Sequence, residues 1–336
     1  MATALARHTS SEPVIDGLNC AALTRDQFER TLEGRVSALN LTSLRPANDL
    51  AASMSDLAKA LAIIAEHADL VSVVTSAKEI KETAAAGKLG IILGTQNSTF
   101  LEHDLQLLRV MQRAGIRILQ PTYMELNALG SGVLALPDGG LTEKGHEWVA
   151  LMNELRLLID LSHVGYSTAI QAAKASKRPV ICSHSNARAL CDSLRNIPDE
   201  EIRAVAETGG TVGLTLWPPM LRHEARPTLE DFFAQVDYMV NLIGVDHVAF
   251  GSDCSERTKT EEQWKATFGP AGMYPEVTGV LGDWFIFTQR FTVDYESLAH
   301  TGRLIDGLAA RGYAASDVDK IMGGNLLRVY EDVWGA

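Results

Sequence analysis

Short apolar runs rich in β-branched residues recur along the chain. Most are followed by a polar turn and then by a stretch whose apolar positions repeat at helical spacing. Eight such runs predict strands: Val14–Leu18, Val36–Leu41, Gly90–Gly94, Ile116–Pro121, Leu157–Leu161, Val180–Ser183, Thr211–Leu216 and His247–Gly251. Amphipathic helices are predicted at Met54–His67, Leu101–Ala114, Glu143–Leu155, Thr168–Ala175, Asp199–Glu207 and Leu229–Ile243, with a closing helix over Ala315–Val333.

Strands that alternate with helices imply parallel pairing and right-handed crossovers. A doubly wound sheet and a closed barrel both satisfy this. The first strand runs into Gly17-Leu18-Asn19-Cys20 rather than a glycine-rich phosphate loop. Eight strands then favour a (β/α)8 TIM-like barrel. No repeat, low-complexity tract or linker divides residues 1–336, so one domain is expected. Two segments break the rhythm, Asn127–Gly140 and Ser255–Thr278. Long loops at these places build the active sites of barrels.

Composition narrows the function. A net charge of −12 over 336 residues disfavours nucleic acid and anionic membrane as partners. Cys20, Cys182, Cys191 and Cys254 form no CxxC pair and read as reduced thiols. Met1–Pro13 lacks a basic segment leading into an apolar run, and no stretch has the roughly 20 apolar residues that span a bilayer. A cytoplasmic protein acting on a small molecule is expected.

Polar residues cluster where predicted strands end: Asp160-Leu161-Ser162-His163, Cys182-Ser183-His184-Ser185 and Gly251-Ser252-Asp253. In a barrel these ends share one face. Two imidazoles and a carboxylate there could hold a divalent metal with water in an open position. Singly, each has a plainer role: a strand-end histidine is more often a hydrogen-bonded structural residue, and Asp253 could cap its loop. His67 and His146 lie in helical patterns, His223 in a loop, His8 near the terminus and His103 in a helix first turn.

These stretches, with Val14-Ile15-Asp16-Gly17, Gly140-Leu141-Thr142-Glu143-Lys144-Gly145, Ser183-His184-Ser185-Asn186-Ala187, Leu194-Arg195-Asn196, Gly209-Gly210-Thr211-Val212-Gly213 and Gly323-Gly324-Asn325-Leu326-Leu327-Arg328-Val329, carry a resemblance. The chain resembles the membrane dipeptidase (renal dipeptidase-like) family, metallopeptidases of the amidohydrolase superfamily, over nearly its whole length. The resemblance implies a (β/α)8 barrel in which His163 and His184 bind metal and Asp253 contacts metal and handles the proton of the attacking water. It implies that Arg195 holds the substrate carboxylate, for which a guanidinium fork is suited. A surface ion pair with Asp192 or Asp199 is the plain alternative for Arg195.

Departures from the family pattern matter as much. Leu18-Asn19-Cys20 stands where the family has His-x-Asp, Gln96 aligns with its bridging glutamate, and Tyr123 aligns near its carbonyl-polarising histidine. A neutral amide cannot bridge two cations as a carboxylate does. The expected remnant is one zinc on His163 and His184, with Asp253 or, weakly, Gln96 as third ligand. Tyr123 would bind substrate and donate to the oxyanion. Hydrolysis of a small carboxylate-bearing amide or dipeptide is the leading expectation. The same fold with metal-independent chemistry (C–C or other hydrolysis, isomerisation) and a non-catalytic ligand binder stand as alternatives. Homodimers occur among related enzymes, and an acidic monomer would give the same sequence features.

Overall fold

The structure, a computed structural model, describes residues 12–47, 49–101 and 104–335; His8 and His103 lie outside the described residues. Among the described residues nine strands form: β1 (Val14–Asn19), β2 (Val36–Leu44), β3 (Val71–Val73), β4 (Leu89–Thr95), β5 (Ile116–Leu119), β6 (Leu158–Ile159), β7 (Ile181–Cys182), β8 (Thr211–Leu214) and β9 (Val248–Phe250). The helices are α1 (Arg25–Glu33), α2 (Leu50–Glu66), α3 (Ala77–Ala85), α4 (Leu107–Arg113), α5 (Glu143–Glu154), α6 (Tyr166–Ala175), α7 (Asp199–Glu207), α8 (Leu229–Ile243), α9 (Glu261–Phe268), α10 (Pro275–Thr278), α11 (Gly302–Ala310), α12 (Ala315–Asp319) and α13 (Asn325–Trp334).

All strand pairs are parallel, in two arcs, β1-β2-β4-β5-β6 and β7-β8-β9. Isolated parallel bridges, Asp160 to Ile181 and Asn19 to Cys254, join the arcs into a closed (β/α)8 barrel. Its eight staves are the eight strands the sequence predicts. The ninth, β3, escaped that pattern because three residues are too few for a period. It pairs with the first half of β4, Val71 opposite Leu89. Helices α1 and α3 also lay outside the predicted set, and Ala315–Val333 is broken by a π-helical turn at Lys320–Gly324.

Helix starts follow local chemistry. Thr24, Asp49, Ser76 and Thr142 accept hydrogen bonds from backbone amides in the first turns of α1, α2, α3 and α5. Thr228 and Asp231 form a capping box on α8. The barrel floor is apolar: Ile15, Ala38, Ile92, Ile118, Leu158, Ile181 and Ala249, one from each of seven staves, pack with Leu326, Val329, Tyr330 and Val333 of α13. Burying each large member contributes about 1.5–3 kcal/mol, so α13 plugs the barrel end opposite the loops. Gly213 and Gly251 let β8 and β9 close on β7, since a side-chain carbon at either would meet the Ser183 carbonyl oxygen at 2.1 and 2.0 Å.

Candidate active site

The C-terminal strand ends converge as the barrel requires. Two buried carboxylates brace them, and they stand at the two seams where the ladder is thinnest. At the β6–β7 seam, Asp160 accepts from the Ser162 and Ser183 amides (3.0 and 2.9 Å), from Ser183 Oγ (2.5 Å) and from Gln120 Nε2 (2.7 Å). At the β1–β9 seam, Asp16 accepts from the Ser252 amide and hydroxyl (2.7 and 2.6 Å), from Asn19 Nδ2 (2.8 Å) and from the Leu18 amide (3.3 Å). Burial nonetheless pushes the Asp16 carboxyl up to about 6, against those hydrogen bonds. The sequence displayed both aspartates within its motifs but gave no sign that they tie strands together.

Asp160 orients the histidines. Its hold on the Ser183 hydroxyl hydrogen leaves that oxygen to accept from His184 Nδ1, 2.7 Å away. His184 is then protonated at Nδ1 and presents a bare Nε2, which accepts from His163 Nε2–H at 2.9 Å. His163 Nδ1 is left buried without a partner. Burial holds both imidazoles well below their ordinary range, and the Arg195 charge adds to this, so both are neutral near pH 7. The Tyr123 ring stacks on His163 at 4.1 Å between centroids.

On the other side stand Asp253, Cys20, Thr42 and Gln96. Gln96 Nε2 donates to Thr42 Oγ1 (2.8 Å) and to Cys20 Sγ (3.4 Å), and the Cys20 thiol points to Asp253 Oδ1 at 3.9 Å. Burial pushes the Cys20 thiol up to about 12 and the Asp253 carboxyl up to about 7, the latter opposed by Arg195. The Tyr123 hydroxyl is held well above its ordinary value by burial and so stays a donor. His163 and Asp253 both adopt positive φ, 68° and 50°. Such backbone costs on the order of 1–3 kcal/mol at a non-glycine residue and clusters at functional sites.

Arg195 is buried, with Nε and Nη2 lacking any partner. No ion pair links it to Asp192 or Asp199 among the described residues; Asp199 instead accepts from Tyr238 and faces Arg203. Desolvation lowers the pKa of its guanidinium, countered by Asp253, Tyr123 and Asp160. Nearby Glu201, on α7, is buried and pushed up to about 8. Like Tyr274, it was not among the site residues expected from sequence; a glutamate in the first turn of a helix reads as surface.

The donors do not fit a catalytic zinc. Among the described residues no group of three His, Cys, Asp or Glu side chains is close enough to hold a metal ion, whereas such zinc sites use three protein ligands. His184 is oriented as a ligand should be, its Nδ1–H held by a hydroxyl. His163 is not: ligation through Nε2 would put the proton on Nδ1, which has no acceptor. The Asp253 carboxylate faces a thiol, and Gln96 spends its amide on Thr42 and Cys20. The expected set of His163, His184, Asp253 and Gln96 is thus two imidazoles on one side and two groups bonded elsewhere.

A cavity of about 1380 Å3 opens above Cys20, Gln96 and Tyr123. Both long loops line it, through Asn127, Ala128 and Leu129 and through Phe268, Met273 and Tyr274. Tyr123 therefore touches the cavity on one side and His163 on the other. His223 stays apart, its Nε2 meeting the Pro219 carbonyl, and His67 bonds Ile63 within its own helical turn. Trp217 packs edge-on against Phe268 at 6.1 Å. No described helix is long and apolar enough to cross a membrane.

Comparison with known proteins places this architecture. A solved amidohydrolase from Pseudomonas aeruginosa superposes with a TM-score of 0.88 at 30% identity, covering 97% of this chain and 98% of that one. A Klebsiella pneumoniae protein described as an uncharacterized protein in the pqqA 5' region is 29% identical over 282 residues, 81% of this chain and 92% of that one. Dipeptidase tcpJ of Claviceps purpurea is 26% identical over 270 residues, 80% of this chain but 56% of its own length. The family model described as membrane dipeptidase (peptidase family M19) matches residues 17–267. That match covers most of the barrel and the strand-end residues His163, His184, Arg195 and Asp253, and it makes this chain a member of the membrane dipeptidase family of hydrolases.

Proposed function

We propose that this hydrolase cleaves a small amide bearing a carboxylate, holding that carboxylate on Arg195. The observation that carries the reading is the buried guanidinium of Arg195, whose Nε and Nη2 have no hydrogen-bond partner. Guanidinium donors buried without acceptors cost free energy, and a carboxylate ligand supplies two acceptors for them.

The surrounding groups divide the remaining work. Asp253, its carboxyl pushed up to about 7 by burial, accepts the proton of an attacking water, then returns it to the leaving nitrogen. Tyr123, protonated throughout, donates to the oxygen on which charge develops. The neutral His163–His184 pair, fixed through Ser183 by Asp160, supports Tyr123 by stacking. No step is assigned to a metal, because the donor set does not fit one. Dipeptidase tcpJ and the other named dipeptidases of the family make a dipeptide-like amide the natural substrate class to assay first.

Two measurements test this together. Elemental analysis of protein purified with zinc present, beside a His163→Ala/His184→Ala control, should find well under one zinc per chain in both. About one zinc that vanishes in the control would restore a metal mechanism. Turnover of carboxylate-bearing amides should exceed that of the matching amides with a blocked carboxylate by at least a hundredfold. Equal turnover would remove Arg195 from substrate binding.

A further inference from the structure

Among the described residues, the lining of the cavity above the site holds no buried carboxylate. Among the described residues that line it, Glu125 is the one carboxylate, and it is exposed. The lining cations are Arg45, paired with Asp56 at 2.8 Å, and Lys259, over the Phe268 ring at 5.5 Å. The walls between are apolar, with Leu23, Leu41, Leu101, Leu105, Met124 and Phe268.

In a free dipeptide the ammonium nitrogen lies only about 2.5 Å from the scissile carbonyl carbon, two bonds away. It cannot reach out to Glu125 while that carbonyl sits over Tyr123. It would have to lie on the floor, among Cys20, Thr42 and Gln96. These three are neutral and bonded to one another. The one atom left over is Gln96 Oε1, buried and without a partner. A single neutral acceptor suits an amide N–H; it does not compensate a desolvated cation. Asp253 is already turned to the Cys20 thiol and lies within the field of Arg195.

Resting on the hydrolase reading above, we infer that the substrate is an N-acylated amino acid. Its apolar acyl group fills the cavity, its carboxylate meets Arg195, and its amide N–H meets Gln96 Oε1. At about 1380 Å3 the cavity exceeds the roughly 300–1000 Å3 of ordinary small-molecule sites, so a medium-length acyl or aryl group is accommodated. Water adds its oxygen to the acyl carbon, the C–N bond breaks, and a proton passes to the nitrogen. The products are a carboxylic acid and a free amino acid.

The test uses the full chain and matched pairs: N-octanoyl- and N-benzoyl-amino acids against Leu- and Phe-dipeptides with the same C-terminal residue (Ala, Glu or Phe). The N-acyl compounds should give kcat/KM at least tenfold higher. Dipeptides cleaved equally well or better would overturn the inference while leaving the carboxylate-amide reading intact. If neither class is cleaved, the hydrolase reading fails, and calorimetric binding decides separately. Tighter binding of N-octanoyl-amino acid than of dipeptide upholds the inference, and equal or no binding overturns it. Gln96→Glu should shift the preference toward dipeptides about tenfold. Leu105→Trp, which narrows the cavity, should cut octanoyl turnover while sparing N-acetyl substrates; an unchanged chain-length profile would place the acyl group elsewhere and count against the inference.

Discussion

Replacing Arg195 with methionine should separate function from stability. The guanidinium is fully desolvated, and at least two of its donors have no acceptor. If a substrate carboxylate takes those two donors, two charge-assisted hydrogen bonds are lost in Arg195→Met. At about 1.5–3 kcal/mol each, that is roughly 3–6 kcal/mol, or about a hundredfold to ten-thousandfold in kcat/KM. Stability should change far less. Replacing a buried group whose donors lack acceptors by an apolar chain of similar shape can be nearly neutral. The melting temperature should hold within a few degrees. A second signature follows from electrostatics: Arg195 holds Asp253 down, so its loss lets the Asp253 carboxyl climb and moves the acid limb of the rate profile to higher pH. The assay pairs calorimetric melting with kcat/KM on a carboxylate amide across pH 5–9. A drop of several degrees with kcat/KM unchanged would mean that Arg195 is structural, and the proposed substrate binding would fall with it.

Three further outcomes are expected. Because Asp253 must be ionised to act as base and its carboxyl lies at about 7, kcat/KM should fall about tenfold per pH unit below that value, and Asp253→Asn should abolish the dependence along with nearly all activity; an acid limb near pH 4 would rule Asp253 out. Tyr123→Phe should cost about 10²-fold or more in kcat with little change in folding, as loss of an oxyanion donor does, and an unaltered kcat would remove it from the chemistry. Glu201 binds its proton up to about pH 8 when folded but only to 4.5 in its ordinary environment, so the native state loses stability as pH rises from 4.5 to 8, by roughly 5 kcal/mol at most. Glu201→Gln should therefore raise the melting temperature more at pH 8 than at pH 5, and an equal effect at both would refute the burial argument.

Much of the barrel was legible from the chain. A stave needs a run of apolar, β-branched residues, and its crossover helix needs a 3.6-residue period; both are local and survive in the sequence. Helices α7 and α8 formed over the predicted residues, Asp199–Glu207 and Leu229–Ile243. The motifs at the strand ends likewise located His163, His184, Arg195 and Asp253, since chain order in a barrel dictates which loop joins the active face.

What the sequence could not determine was the pairing of those groups. The metal set expected from His163, His184, Asp253 and Gln96 depended on which lone pairs meet in space. That depends on tautomers fixed by Ser183 and Asp160, and on Cys20 drawing Gln96 and Asp253 to the other side. Nor could spacing show that Asp16 and Asp160 stitch the two barrel seams, for each binds residues brought near by closure: Ser252 lies 236 positions from Asp16. Hydrophobic periodicity is a property of neighbours along the chain and fixes the staves. Hydrogen bonding, burial and protonation are properties of neighbours in space, and only the closed barrel decides them.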